Sequence, residues 1–269
     1  CEPVDILTWL HNQHAARKIY WSDRCGDCES GGIGAADVVQ GYGTIDYTEV
    51  FARMEDRLSG DNPNLRYYGG MNFHGPAADP GWRSFGSYRF IVPRFELLKT
   101  GGRTLLAFNI ACNDIDKDNA AAILKELDTI DFSPVTTYRP PPKVLRRADF
   151  PDRKGWETAF AKTKTGGGKF KYDKIVLARR SVFDFDVYID PCALLKHLKD
   201  KTPQCFHFCI QTDKTTAFLG ASPERLQALR TDYAMDVIQL PRNYRCPGII
   251  ITLANNLIQH NQSRMPGKE

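Results

Sequence analysis

Two motifs fifty residues apart decide the fold: Lys174-Ile175-Val176-Leu177-Ala178-Arg179 and Gly220-Ala221-Ser222-Pro223-Glu224. The first sets a lysine before an apolar, β-branched run, which is typical of a buried strand, and we expect that strand over residues 174–185. Between the motifs, Asp190-Pro191 predicts a helix start and residues 205–211 predict a returning strand. A last strand then leads into a tight turn carrying Glu224. This order of strand, helix, strand and strand is long enough to bring Lys174 and Glu224 to one pocket.

The two linked motifs resemble those of the chorismate-utilising enzymes, most closely the isochorismate synthases. Members that use ammonia usually carry glutamine where this chain has Lys174, so the lysine points to water as the nucleophile. Isochorismate synthases and salicylate synthases both have lysine at this position, so the resemblance leaves both activities open. Residues 65–73 and Trp9-Leu10-His11 look like the plant-type enzymes of quinone biosynthesis. The resemblance implies an α/β fold, a layered sheet-and-helix sandwich like that of anthranilate synthase component I.

The resemblance also implies a division of labour between the two motifs. Lys174 would be the general base that activates water for attack at C2 of chorismate, and Glu224 the general acid for loss of the C4 hydroxyl. Gly220, Ala221 and Ser222 would contact the substrate. Burial would favour neutral lysine and protonated glutamate, as these roles require at neutral pH. The plainer alternative is a Lys174–Glu224 ion pair, or a solvated lysine at the end of a strand. The product would serve menaquinone, phylloquinone or salicylate biosynthesis.

The family also implies Mg²⁺, but its ligands are not recognisable in this sequence. The family continues beyond the second motif with a helix bearing Lys-Asp-x-x-Glu-His, whose glutamate binds the metal, and residues 231–269 show no such motif. We therefore expect a C-terminally truncated enzyme of impaired activity. The alternative is a non-catalytic module, for example one joined to other quinone-pathway enzymes in a fused protein.

Four segments are predicted along the chain. Residues 1–131 form an N-terminal α/β subdomain, 132–148 a proline-rich linker, 149–230 the first part of the chorismate-binding domain and 231–269 an unrelated or aberrant tail. Within the first segment, three strands around a Gly101-Gly102 turn predict an antiparallel meander. A polar, glycine-bearing loop is predicted for residues 22–32. Helices are predicted at residues 4–14, 47–58, 120–127 and 152–164, and strands at 18–21, 33–43, 65–73, 86–92, 94–98 and 104–110.

Composition excludes several classes of protein. The 269 residues carry a net charge of +4 that is spread along the chain, so nucleic-acid binding is not indicated. No apolar run approaches the roughly 18–20 residues of a membrane span, and residues 1–5 have no signal-peptide pattern. We expect a soluble intracellular protein, in the plastid if plant-like and otherwise in the cytoplasm.

Cysteine and histidine add few candidates for chemistry. The eight cysteines are scattered, as reduced thiols would be. Cys25 and Cys28 alone have ligand-like spacing, and without a second pair they do not predict a zinc site. A histidine within the strand at 205–211, His207, is more simply explained by packing and hydrogen bonding than by catalysis.

Overall fold

The computed structural model describes residues 4–58, 64–72, 80–111, 120–133, 142–164, 175 and 177–222. Lys174 and Glu224 lie outside these residues, as do the predicted tail and residues 134–141 of the predicted linker. The described residues contain five helices, α1 (Ile6–Asn12), α2 (Tyr47–Glu55), α3 (Ala120–Glu126), α4 (Arg153–Lys164) and α5 (Pro191–Lys201), and short 3-10 turns at Pro80–Trp82 and Leu127–Thr129. None of the described helices is long and apolar enough to cross a membrane.

Eleven strands are present in the described part of the chain. They are β1 (Lys18–Ser22), β2 (Cys28–Ile33), β3 (Asp37–Gly41), β4 (Tyr68–Met71), β5 (Tyr88–Val92), β6 (Phe95–Thr100), β7 (Arg103–Phe108), β8 (Val144–Phe150), β9 (Arg180–Phe185), β10 (Phe206–Gln211) and β11 (Ala217–Ser222). They form a six-stranded sheet of order β11-β10-β1-β2-β6-β7, a three-stranded sheet of order β3-β5-β4 and a β8-β9 pair. The layered α/β architecture is as predicted from the sequence.

Helices α1 and α5 cover one face of the six-stranded sheet. Asp5 caps α1 by accepting a hydrogen bond from the Thr8 amide at 2.7 Å, and Asp190 caps α5 through the Ala193 amide at 2.8 Å. Each cap satisfies an amide that has no partner inside the helix. The core beneath the helices is almost free of solvent exposure and includes Trp9, Leu10, Tyr20, Leu195 and Cys209. Both helices therefore gain most of their stability from this shared apolar face.

Hydrogen bonds and an ion pair made by Lys199 also connect α5 to the sheet. Lys199 donates hydrogen bonds to the Tyr20 hydroxyl at 2.6 Å and to Glu29 at 2.9 Å, and Tyr20 itself donates to Glu29. Burial, followed by the charge of Glu29, raises the pKa of Tyr20. The hydroxyl therefore stays protonated as a donor to the carboxylate.

The predicted loop at residues 22–32 is wrong, because its second half forms β2 in the middle of the sheet. The glycines that suggested a loop are required by packing. A Cβ at Gly31 would lie 2.3 Å from Cγ2 of Ile6, and one at Gly32 would lie 2.5 Å from the Pro93 side chain. β2 thus lacks side chains where α1 and Pro93 approach its backbone.

The predicted three-strand meander is also wrong. β6 and β7 form the expected hairpin, with Gly101 and Gly102 at φ of 55° and 73°. β5, however, pairs with β3 and β4 in the other sheet. Only Pro93 and Arg94 separate β5 from β6, and Pro93 has no amide hydrogen to continue a ladder. The chain therefore passes from one sheet to the other at this point.

The predicted order of strand, helix, strand and strand is confirmed as β9, α5, β10 and β11. The extent and burial of the first strand are not as predicted. Leu177–Arg179 have no regular structure, β9 begins at Arg180, and its side chains are mainly exposed. β9 pairs with β8 and not with β10 or β11, and β8 begins at Val144 within the range predicted as linker. The predicted turn also starts later, because residues 220–222 still belong to β11.

Candidate functional site

The described part of the second motif forms the end of β11, at the edge of the six-stranded sheet. Ser222, Ala221 and Gly220 pair with Phe206, His207 and Phe208 of β10. A Cβ at Gly220 would lie 2.8 Å from Cζ of Phe208, so glycine is needed for the close approach of that ring. Whether Lys174 and Glu224 share a cavity remains a prediction, since both lie outside the described residues.

His207 occupies the opposite face of the sheet from Phe208 and is 1% exposed. Its Nε2 lies 3.0 Å from the Thr202 hydroxyl and its Nδ1 lies 3.5 Å from the Ser22 hydroxyl. Burial, with a smaller effect of Lys199, lowers the pKa of His207. These contacts fit the packed, hydrogen-bonded histidine that the sequence favoured over a catalytic one.

A cavity of about 470 Å³ lies between the six-stranded sheet and the three-stranded sheet. One wall comes mainly from alternate residues that the ladder register places on the same face, namely Ile19, Trp21, Phe208, Ile210 and Phe218. The other wall comes from β4, β5 and the segment before β5. The lining residues are Ile19, Tyr20, Trp21, Tyr68, Gly69, Gly70, Met71, Asn72, Trp82, Phe85, Gly86, Ser87, Arg89, Phe208, Ile210 and Phe218.

A buried carboxyl group joins the two sheets beside this cavity. Glu96 of β6 is 2% exposed and accepts hydrogen bonds from the Ser30 hydroxyl at 2.6 Å and from the Tyr68 hydroxyl of the other sheet. Burial raises the pKa of Glu96 above its ordinary value, although these two hydrogen bonds and the charge of Arg66 oppose the rise. Nothing in the local sequence around Glu96 signalled this network, because its members come from three distant strands.

Glu96→Gln should change how the stability of the protein depends on pH. Below the ordinary glutamate pKa, near 4.5, folded and unfolded chains are both protonated. As pH rises further, the unfolded chain ionises first, so the wild type should lose unfolding free energy relative to Glu96→Gln until the raised pKa of the folded state is passed. Urea unfolding of both proteins across this range measures the difference. The exposed Glu55→Gln is the control, and a pH-independent difference between wild type and Glu96→Gln would contradict the expectation.

The described residues do not fit a metal centre. No group of three or more His, Cys, Asp or Glu side chains in this part of the chain is arranged to hold an ion. Cys25, in the turn between β1 and β2, and Cys28, the first residue of β2, are both free thiols. The Mg²⁺ implied by the family thus has no ligand set among the side chains that the structure describes.

Residues 1–235 match the family model described as chorismate binding enzyme. The chain therefore belongs to the chorismate-binding enzyme family, as its paired motifs predicted.

Curated relatives of the chain include several isochorismate synthases. The chain is 29% identical over 224 residues to the chloroplastic isochorismate synthase of Catharanthus roseus, covering 80% of this chain and 38% of that protein. It is 26% identical over 240 residues to isochorismate synthase MenF of Escherichia coli, covering 86% and 51%. Isochorismate synthase 2 of Arabidopsis thaliana, also chloroplastic, is 32% identical over 179 residues, covering 63% and 32%. The chain thus spans about half or less of the length of these relatives.

The fold of the chain is similar to that of a solved isochorismate synthase structure. The menaquinone-specific isochorismate synthase MenF of Escherichia coli superposes with a TM-score of 0.63 at 23% identity, covering 82% of this chain and 47% of MenF. This likeness supports the predicted chorismate-binding fold.

Proposed function

We propose that this chain provides the proton-transfer residues of an isochorismate synthase, which converts chorismate to isochorismate. The observation that carries the proposal is the pair of motifs with Lys174 and Glu224 in a chain whose family is the chorismate-binding enzymes. The curated relatives reported above are all isochorismate synthases. β11 supports it structurally, because this strand fixes the first three residues of the second motif on the largest sheet.

The proposed reaction needs two proton transfers. A neutral Lys174 amine takes a proton from water as the water oxygen bonds to C2 of chorismate. The ring double bonds shift, the C4–oxygen bond breaks, and Glu224 gives its proton to the departing hydroxyl, which leaves as water. One water enters and one leaves, so the product is an isomer of the substrate and no redox change occurs. Each transfer by a positioned acid or base is worth roughly 10²–10⁴-fold in rate.

The residues of β11 would position the substrate. Gly220, Ala221 and Ser222 are the predicted contacts, and Ser222 lies on the same face of the sheet as Phe218, Gly220 and the cavity. Gly220 leaves no side chain between the strand backbone and the Phe208 ring. We expect this close packing to limit movement of the strand that leads to Glu224, because well-packed elements hold catalytic groups more precisely than loops do.

The product of the reaction tests the proposal. Purified chain should be incubated with chorismate and Mg²⁺, alone and when fused to the C-terminal half of MenF from Escherichia coli, and the products separated by chromatography. We expect isochorismate, formed faster by the fusion because this chain spans about half of that relative. Salicylate and pyruvate as products would instead indicate a salicylate synthase. No product from a folded fusion would contradict the proposal.

Binding can be separated from turnover in the chain alone. Chorismate should raise the midpoint of thermal unfolding, since a ligand that binds only the folded state stabilises it in proportion to the logarithm of its concentration. Repeating the melt with and without Mg²⁺ shows whether the metal contributes to that binding. A midpoint unmoved by millimolar chorismate under both conditions would favour a non-catalytic module.

A further inference from the structure

The cavity between the two sheets contains polar groups that the proposed reaction does not use. Ser87 is 1% exposed, and its hydroxyl has no hydrogen-bond partner within the described structure. The same is true of Nε of Arg89, and both residues line the cavity. Buried polar atoms are rarely left unpaired in folded proteins, because each costs desolvation free energy. Two unpaired donors at one cavity therefore indicate that a ligand in the cavity supplies their hydrogen-bond acceptor.

Arg89 brings an uncompensated positive charge to this site. Its Nη1 donates to the Gln40 side chain at 2.9 Å and to the Ser84 carbonyl at 3.2 Å, and both partners are neutral. No carboxylate in the described part of the chain forms a salt bridge with Arg89. Burial, followed by repulsion from Arg17, lowers the pKa of Arg89, while Tyr42 and Asp213 act in the opposite direction. One guanidinium with one hydroxyl donor suits a single carboxylate better than a phosphate dianion.

The rest of the cavity suits a flat, apolar ring. Aromatic side chains from three segments form its wall: the ring centroids of Trp82 and Phe218 are 5.1 Å apart, and those of Phe208 and Phe218 are 5.2 Å apart. β4 contributes backbone only at Gly69 and Gly70, and Gly70 pairs directly with Arg89. A Cβ at Gly70 would have no atom within 4 Å, so the space beside the arginine is open. The volume of about 470 Å³ falls in the range typical of small-molecule sites.

We propose that this cavity binds a planar aromatic monocarboxylate, with its carboxylate on Arg89 and Ser87 and its ring between the two sheets. The aromatic side chains supply stacking and apolar burial, and the two donors supply orientation. The site is built from β1, β4, β5, β10 and β11, so an occupant contacts the same strand that carries the second motif.

Isothermal titration calorimetry of the complete 269-residue chain tests the charge and shape of the ligand. The probe is 2-naphthoate, with 2-naphthol as its uncharged analogue and cyclohexanecarboxylate as a non-planar acid. We expect 2-naphthoate to bind at least about tenfold more tightly than 2-naphthol, since a charge-assisted hydrogen bond is worth at least that factor. It should also bind more tightly than cyclohexanecarboxylate, which keeps the charge but has no planar ring to stack on the aromatic wall. Equal binding of 2-naphthol, or no binding of 2-naphthoate, would overturn the proposal; the latter result would leave water as the partner of the two donors.

Two variants test the location of the ligand by different means. Arg89→Gln removes the charge and should weaken 2-naphthoate about tenfold or more. Gly70→Leu places a side chain in the open space and should block binding while leaving the arginine in place. Two matched substitutions outside the cavity serve as controls. Arg103→Gln removes an exposed charge at the start of β7. Gly43→Leu adds a side chain at an exposed glycine, where a Cβ would also have no atom within 4 Å. Unchanged binding in both cavity variants would overturn the site, and thermal unfolding confirms that each variant is folded.

The failure of this proposal is distinguishable from failure of the proposed reaction. A chain carrying both Lys174→Ala and Glu224→Gln should still bind 2-naphthoate like the wild type. Binding lost in that chain would place the ligand at the catalytic residues and overturn the assignment to the cavity. Binding of 2-naphthoate by the unmutated chain, together with no isochorismate from its folded fusion to the MenF C-terminal half, would support the cavity and contradict only the reaction.

Discussion

A Lys174→Ala variant should convert chorismate to isochorismate about 10²–10⁴-fold more slowly than the wild type, the range that a positioned general base contributes. Without the amine, water would have to give up its proton to bulk solvent as it attacks C2. Glu224→Gln should cause a loss of similar size, because the amide cannot protonate the departing C4 hydroxyl. Initial rates of isochorismate formation measure both, in the 269-residue chain or, if its turnover is below detection, in the fusion to the MenF C-terminal half.

A nearby lysine provides the matched control for this prediction. Lys171→Ala removes a positive charge three residues earlier in the same segment and should leave the rate within about threefold, since it has no assigned proton transfer. Added methylamine should restore part of the activity of Lys174→Ala and none of that of Glu224→Gln. Equal losses in Lys171→Ala and Lys174→Ala would show that positive charge in the segment matters, and not a base at position 174.

The parts of the fold that were predicted correctly depend on local signals. Asp5 and Asp190 mark helix starts because a capping side chain and its amide partner are only three residues apart. The strand predicted at residues 205–211 is β10, because a run of aromatic and apolar side chains marks a strand locally. The family itself was recognisable because two short motifs at a fixed separation carry it, without any knowledge of the sheets between them.

The parts that were wrong or missed depend on non-local packing. Gly31 and Gly32 have the composition of a loop, and only the positions of Ile6 and Pro93 show that they belong in a strand. β5 and β6 are adjacent in sequence yet lie in different sheets, which no periodicity distinguishes. β9 begins only at Arg180, after the apolar run of the first motif, and its side chains are mainly exposed, so that run marked neither the position nor the burial of the strand.

The cavity could not have been predicted for the same reason. Arg89, Trp21 and Phe218 come from strands far apart in sequence, and they meet only because two sheets pack face to face. Each alone is an ordinary strand residue, since aromatic and long side chains occur widely on pleated surfaces. The site became visible when the ladder register placed these side chains on facing walls and left two buried donors unpaired.

The stability of the whole motif region should depend on the packing of α5, which connects β9 to the two strands that follow. Leu195 is fully buried against the sheet, whereas the neighbouring Leu194 is 42% exposed. Leu195→Ala should reduce the free energy of unfolding by about 2–5 kcal/mol, because truncation leaves a cavity that the surrounding core fills only in part. Leu194→Ala makes the same chemical change on the same helix and should cost less than about 1 kcal/mol.

Urea unfolding of the two variants therefore isolates burial from helix propensity, since both replace leucine by alanine in one helix. We expect Leu195→Ala to lower the midpoint markedly with an unchanged dependence on urea, which would show lost stability without a change in the surface exposed on unfolding. The core beneath α5 also contains Tyr20 and Cys209, so loosening the helix should weaken the Lys199–Tyr20 contact and the sheet that supports β11. Equal losses in Leu194→Ala and Leu195→Ala would mean that α5 does not pack on the sheet through Leu195, and that β11 is held in place by its pairing with β10 alone.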